Sequence, residues 1–496
     1  MPAEASLTDW QSITEPRHDE TGFREYDLRW LYPDQINLPG MFEIGRGLGT
    51  LMQQRGMTSE IVVGCDFRSY SRSVCHALAL GLIDAGIKVT DVGTVLSPIV
   101  YFARVHLGIS AMAMVTASHN PDGWTGVKFG FQHPRTCSPE EMKQLKSLVF
   151  GKQATSRSGG SYCRNTAAAD AYLESLTQTA TLTRTLRIVC ATGNGTASTF
   201  APELLKQLGM TVIPRHSNAD CSFPHYNPNP ESLEMLRDMR DAVTETGADL
   251  ALGFDGDGDR LGVVDNTASI IHADKAGLLI ARHLAPHHPG SRILVDIKST
   301  ALFADDPVLR KHGIHTEYWK TGHGHIKARL AETGALAAFE RSGHYYFGAT
   351  VGHGFDCALH AARALCQVLD DQPGKSLAVL HDELPMTWMT PSMDPPCPDQ
   401  AKYPVVDRIT DRLKAMDQRG EDFAGQNIAS LLTINGVRVT LTNGSWTLIR
   451  ASSNTPNLVV VCESKTGRED LQRLVETTAS LLHQEPEIGP FELHLE

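Results

Sequence analysis

A chain of 496 residues is too long for one hydrophobic core, and 57 acidic against 45 basic side chains, a net charge of -12, exclude nucleic acid or an anionic membrane as its main partner. The 41% hydrophobic and 21% charged content is that of an ordinary globular protein, and no apolar run approaches the ~18 residues of a membrane span. Ten scattered cysteines include no C-x-x-C pair, which removes zinc ribbons and thioredoxin-type redox motifs and predicts reduced thiols in a cytoplasmic protein.

Taken in order, residues 1–22 are polar, lack the charged-then-apolar layout of an export signal and predict a mobile N-terminal arm. Folding is expected to begin at Phe23. A pattern then recurs: Ile61 to Ser69, Arg187 to Gly195 and Arg292 to Ser299 each read as a short buried strand entering a polar turn. Helix-like stretches follow at Val74 to Ala85, Ser198 to Leu208 and Thr300 to Lys311. The spacing is too wide for a solenoid and predicts three similar α/β domains, at 23–160, 161–268 and 269–388, with a connector at Ser156 to Ser161. Prolines at 391, 395, 396 and 398 mark a hinge before a last α+β domain, 389–496. There Gly436 to Ile449 reads as a β-hairpin turning at Asn443-Gly444, with an amphipathic helix from Arg468.

Reactive chemistry gathers in loops that follow strands. After the apolar run Ile109 to Val115, Thr116 to Lys128 carries Asn-Pro and Asp-Gly turn signals, so Ser118 should sit on a tight loop at a strand's carboxyl end, where open α/β sheets place reactive groups. A serine is a poor nucleophile unaided; His119 could manage its proton and Lys128 could neutralise phosphate. Asp255, Asp257 and Asp259 alternate with glycines after another apolar run, and a curled loop turns such side chains onto one hard cation. A helix-loop-helix calcium site fails, because Arg260 occupies the sixth position, where glycine is needed, and Asn266 the twelfth, where glutamate is needed. Magnesium fits better, held by the carboxylates and a substrate-side phosphate oxygen, with Arg260 aimed at that phosphate.

His323 and His325, at i and i+2, do not share a helix face, so they do not make a zinc site by themselves. Glu340, Ser342 and His344 alternate on an extended loop and so present acceptors and donors on one side. Arg450, Ser452, Ser453 and Asn454, on a loop with free backbone N–H groups, make a phosphate cradle that needs no metal. The proline-rich Phe223 to Pro230 reads as scaffold.

Four loops, TASHNPDGWTGVK at 116–128, FDGDGDR at 254–260, ERSGH at 340–344 and RASSNTP at 450–456, stand in the order and spacing of the α-D-phosphohexomutases. The chain resembles the phosphomannomutase/phosphoglucomutase branch over nearly its whole length. The resemblance implies four domains around a central cleft, Ser118 as a phosphoserine that joins Asp255, Asp257 and Asp259 around Mg2+, and hexose 1,6-bisphosphate as activator and intermediate. It places Tyr26 and Arg29 at the cleft, His323 as a proton donor or acceptor beside Lys298 at the sugar, and Glu340, Ser342 and His344 on the sugar hydroxyls. Trp30, Ala338, Phe339, Ser453 and Asn454 depart from the family's usual residues, and Arg341 stands where its branches differ. The expected activity is interconversion of hexose 1- and 6-phosphates of mannose, glucose or both, by a monomer or dimer whose partner is a phosphosugar. Three other readings stay open: a phosphoglucosamine mutase, a serine-dependent sugar-phosphate phosphatase and a catalytically silent sugar-phosphate-binding regulator.

Overall fold

The structure is a computed structural model and describes residues 14–178, 182–453 and 455–493. The three recurring strands become the central strands of three sheets: Glu60–Cys65, Arg187–Ala191 and Arg292–Asp296. Each has a parallel neighbour on one side, Lys88–Thr94, Thr211–Arg215 and His315–Trp319 respectively. On the other side lies a second parallel neighbour, Ala111–Val115, Leu250–Phe254 and Ala337–Phe339. Several of these strands are buried on both faces, so they read as unbroken apolar runs without alternation.

The chain then turns back on itself in the same way three times. Trp124–Gly130, Leu261–Asp265 and Tyr345–Phe347 run antiparallel to the second neighbour, in registers that pair Val115 with Val127, Phe254 with Leu261 and Phe339 with Tyr345. The loops closing these hairpins, 116–123, 255–260 and 340–344, are therefore topologically equivalent, and they contain Ser118, the three aspartates and the Glu-Arg-Ser-Gly-His segment.

The fourth unit is an antiparallel sheet ordered Trp388–Met389, Leu458–Ser464, Trp446–Ala451, Val437–Leu441 and Ile428–Leu432, with helices Lys402–Gln418 and Arg468–Leu482. The first three units share one apolar core, running through Val62, Leu252 and Leu365, whereas the fourth has its own. Ile297 joins the two by packing with Trp446, Leu448, Val459 and Val461. Beside that patch the buried Arg438 guanidinium donates 2.8 Å hydrogen bonds to the carbonyls of Ile297 and Ser299 and lies 3.7 Å from the centroid of the Trp446 ring.

The expected boundaries differ from the structure at four places. Among the described part of the N-terminal arm, His18 bridges Ile36, and the indole of Trp30 donates to the Asp19 carbonyl at 2.7 Å, so the residues from Arg17 on pack on the first unit; residues 1–13 lie outside the described residues. Ser161–Arg164, assigned to the second domain because it follows a polar connector, pairs in parallel with Lys88–Thr94 and completes the first sheet. Ile270–Ile271 likewise closes the second sheet against Val263 and Val264, and Trp388 already belongs to the fourth. The helix expected at Thr300 to Lys311 is two short ones, Leu302–Asp305 and Pro307–Lys311, because Pro307 lacks an N–H and Asp306 caps the second start.

Among the described residues no helix is long and apolar enough to cross a membrane. Helices Leu38–Gln54 and Ser71–Asp84 cover one face of the first sheet and approach each other through glycine. A Cβ on Gly81 would stand 2.0 Å from the Phe42 carbonyl oxygen, and one on Gly45 2.1 Å from that of Leu78. Gly81→Ala is expected to force these helices apart and lower the unfolding free energy by about 1–3 kcal/mol, read as a lower urea midpoint; an unchanged midpoint would contradict this packing.

Candidate functional site

A cleft of about 1140 Å³ is lined by all four units: Arg29 and His119 from the first, Arg260 from the second, Lys298 and His344 from the third, and Arg450 from the fourth. Tyr26, His323, Glu340, Ser342, Ser452 and Ser453 also border it. Asn454 lies outside the described residues. Ser118, Lys128 and the three aspartates are buried just beyond this lining. The first and second hairpin loops touch there.

Ser118 has φ +53, a left-handed conformation that non-glycine residues seldom adopt, and its loop is held by several hydrogen bonds. Its N–H donates to Thr116 Oγ1 at 2.8 Å, and its carbonyl accepts from the Arg68 guanidinium at 3.0 Å. Arg68 also donates to the Asn120 carbonyl at 2.6 Å and is paired with Asp66. This places Ser118 Oγ 3.2 Å from Asp255 Oδ2 and 3.3 Å from His119 Nδ1. Gly256 permits the approach, since a Cβ there would meet the Ser118 carbonyl oxygen at 2.6 Å.

Asp255, Asp257 and Asp259 converge as expected, with one ligand atom of each within 4.8 Å of the others, all buried. Asp255 Oδ1 accepts the backbone N–H groups of Asp259 and Arg260 at 3.0 and 3.1 Å, which curls the loop. Lys128 Nζ stands 2.8 Å from Asp257 Oδ2 and 2.5 Å from Asp259 Oδ2, so it faces the carboxylates and not only a prospective phosphate. Burial, then Asp259 and Asp257, push the Asp255 carboxyl well above its usual range. Burial also opposes ionisation of Asp259, but Lys128 and then His344 outweigh it and hold that carboxyl well below the usual range. Asp257 Oδ1 and Asp259 Oδ1 are buried without a hydrogen-bond partner. Unsatisfied hard oxygens in a pocket whose negative charge exceeds what one lysine supplies fit Mg2+. Arg260 donates to Glu231 Oε2 at 2.7 Å on the cleft wall.

The sugar-loop residues meet, though not as a simple row facing substrate. Glu340 is spent on the protein: Oε1 accepts the Gly322 N–H at 2.8 Å, and Oε2 accepts the Tyr346 hydroxyl. His344 turns toward the aspartates, with Nε2 3.3 Å from Asp259 Oδ1 and Nδ1 3.2 Å from Ser342 Oγ. The metal loop and sugar loop are themselves joined, since the Leu261 N–H donates to the Gly343 carbonyl at 2.9 Å. Arg341 reaches Asp274 at 3.3 Å. Phe339 is buried and stacks on Phe303, which accounts for its apolar character.

Arg29 donates twice to Asp27 Oδ2 and once to Asn120 Oδ1, at 3.0, 2.8 and 2.8 Å. Burial works against the Asp27 carboxylate, but Arg29 and His323 keep its carboxyl below the usual range. The edge of the Tyr26 ring meets His323 at 4.9 Å between centroids. Arg450 donates to the Ala451 carbonyl at 2.9 Å, and Ser452 Oγ lies 2.7 Å from Thr455 Oγ1. The sequence alone does not single out Asp66 and Arg68, which hold the serine loop, or Asp27, Lys327 and Asp356. Asp66-Phe67-Arg68 follows the first recurring strand as Ile297-Lys298 follows the third, so the repeat itself was the available signal.

Burial and then Lys327 push His323 down to about 3. An unfolded histidine titrates near 6.5, so between about pH 6.5 and 3 the unfolded chain takes up a proton that the folded one refuses, and stability falls with acid. His323→Asn should reduce the acid-side fall in unfolding free energy by up to about 1.4 kcal/mol per pH unit, measured by urea unfolding from pH 6.5 to 4.5; an unaltered slope would contradict the neutral buried imidazole.

Comparison with known proteins matches these four units one by one. Profiles described as phosphoglucomutase/phosphomannomutase α/β/α domains I, II and III match residues 20–156, 170–268 and 272–387, and that of the C-terminal domain matches 396–481. A phosphomannomutase/phosphoglucomutase of Pseudomonas putida is 34% identical over 94% of this chain and 96% of its own length. A phosphoglucomutase of Neisseria gonorrhoeae is 31% identical over 94% and 97%. The crystal structure of a phosphoglucomutase/phosphomannomutase family protein from Burkholderia thailandensis superposes with a TM-score of 0.85 at 30% identity, covering 95% of this chain and 99% of that one. The chain belongs to the phosphoglucomutase/phosphomannomutase family.

Proposed function

We propose that this member of the family interconverts hexose 1-phosphate and hexose 6-phosphate through a phosphoserine at Ser118 and a hexose 1,6-bisphosphate. The observation that carries the reading is the placement of Ser118 Oγ, 3.2 Å from Asp255 Oδ2, beside a cleft whose far walls hold Lys298 and Arg450. One reacting oxygen and one distant basic clamp are what a substrate with a phosphate at either end requires.

In the first half-reaction the sugar hydroxyl at O1 or O6 attacks the phosphorus carried by Ser118. The new O–P bond forms as the Oγ–P bond breaks, and the hydroxyl proton passes to Oγ. His119 Nδ1, 3.3 Å from Oγ, is in reach to relay it. Burial, with Arg260 and Arg29, keeps that imidazole neutral by depressing its pKa well below the usual value, so it has a lone pair to accept a proton. Asp255, Asp257 and Asp259 would hold Mg2+, which would neutralise charge on the transferring phosphoryl group. Arg260 and Arg29 hold that group from the cleft side. Lys298, Arg450, Ser452 and Ser453 hold the other phosphate, and His323 borders the sugar. The bisphosphate then turns end for end and returns a phosphoryl group to Ser118 from its other oxygen. Arg68 and Asp66 fix the loop, so reaction requires little reorganisation of the backbone.

Ser118→Ala should lower turnover by about 10⁴-fold or more while leaving the melting temperature unchanged. Incubation of wild-type protein with phosphorus-labelled glucose 1,6-bisphosphate should label the peptide containing Ser118, and label on any other peptide would overturn the assignment. Rates with glucose 1-phosphate and mannose 1-phosphate should exceed that with glucosamine 1-phosphate. The reverse order would select the aminosugar reading, and release of free phosphate would select the phosphatase.

A further inference from the structure

We propose that Asp259, His344 and Asp356 form a second cation site, adjacent to the three-aspartate site and sharing Asp259 with it, for a divalent transition metal of the Zn2+ class. One ligand atom of each lies within 4.8 Å of the others, and all three side chains are buried. His344 Nε2 is 3.3 Å from Asp259 Oδ1 and 3.8 Å from Asp356 Oδ2. Atoms bonded to one ion at about 2.0–2.2 Å in a tetrahedral shell stand roughly 3.3–3.6 Å apart, so the two nitrogen–oxygen separations are already near those of a bound ion. Both carboxylate oxygens involved, Asp259 Oδ1 and Asp356 Oδ2, are buried without a hydrogen bond.

Each ligand is oriented by its other end. Lys128 Nζ holds Asp259 Oδ2 at 2.5 Å, which leaves Oδ1 for the pocket. Lys327 Nζ holds Asp356 Oδ1 at 2.8 Å, and the Tyr101 ring supports that ammonium with its centroid 4.4 Å away, which leaves Asp356 Oδ2. At His344, Nδ1 meets Ser342 Oγ at 3.2 Å and Glu340 Oε2 at 3.4 Å. An imidazole that donates from Nδ1 presents Nε2 as a lone pair, the arrangement in which carboxylates back metal-bound histidines.

The donor set separates this site from its neighbour. Three carboxylates suit a hard ion, whereas one imidazole nitrogen with two carboxylates suits Zn2+ or Co2+. His344 borders the cleft, which provides the entry path. Asp259 belongs to both groups, so an ion at the second site draws on a ligand of the first and also immobilises a side chain of the sugar loop. Binding at this site does not depend on the mutase reading.

The test starts from an Asp255→Asn/Asp257→Asn variant of the full chain, which dismantles the oxygen-only site and keeps Asp259, His344 and Asp356. After chelator treatment it is titrated with Co2+, followed by visible absorption, and with Zn2+, followed by calorimetry. One equivalent of each is expected to bind and to resist millimolar Mg2+, and adding His344→Gln or Asp356→Asn should weaken binding at least about tenfold. Absence of stoichiometric binding in the starting variant, or binding indifferent to both replacements, would overturn the proposal. If Asp356→Asn disturbs the fold by stranding Lys327, as its melting curve would report, His344→Gln decides the outcome, since it leaves the Lys327–Asp356 pair whole.

Discussion

The burial of several carboxylates in one small volume is the constraint on which the rest of this structure depends. Asp255, Asp257, Asp259 and Asp356 are all withdrawn from water, and burial opposes ionisation of Asp255, Asp259 and Asp356. Lys128 and Lys327, also buried, meet this demand in part: Lys128 holds one oxygen each of Asp257 and Asp259, Lys327 holds one of Asp356, and the second oxygen of each carboxylate makes no hydrogen bond. A pocket built this way is not at rest as a set of ordinary ion pairs. It retains negative charge that a cation would balance, and it lies against Ser118 Oγ, 3.2 Å from Asp255 Oδ2.

The three-fold recurrence of a strand, a hairpin loop and an antiparallel return strand supplies the geometry. Because loops 116–123, 255–260 and 340–344 occupy equivalent places in three sheets, packing those sheets on a shared core brings the loops together. The first loop carries Ser118, the second the three aspartates and the third Glu340, Ser342 and His344. Their contacts pass through backbone atoms as well as side chains: Gly256 fits under the Ser118 carbonyl, and Leu261 bonds to Gly343. A shift of one unit therefore reaches the other two.

The fourth unit stands in a different relation. It has its own core and meets the third through the Ile297 patch, the Arg438 guanidinium and Glu463, whose carboxylate accepts from the Thr300 hydroxyl and from the Trp446 indole, both at 2.6 Å. Those contacts surround Lys298, so the joint and this basic wall of the cleft are built from neighbouring residues. Arg450 and Ser452 extend from a strand of the fourth sheet and its following loop to complete that wall.

Turn chemistry, apolar runs and loop composition are local properties, and from them the sequence by itself determined that three α/β units recur, that Ser118 sits on a tight loop after a strand, that 436–449 is a hairpin and that three aspartates share one loop. Which strand joins which sheet is not local. Ser161–Arg164 and Ile270–Ile271 follow connectors in the chain yet close the preceding sheets, because backbone hydrogen bonding between strands outranks their order along the chain. Partnerships across tens or hundreds of residues were decided only by the tertiary structure: Arg68 with the Ser118 loop, Lys128 with Asp259, Lys327 with Asp356, and His344 turned from the sugar side toward the aspartates. Sequence spacing names the ionisable groups, but the sharing of charge among them depends on distance and burial, which exist only once the units have packed.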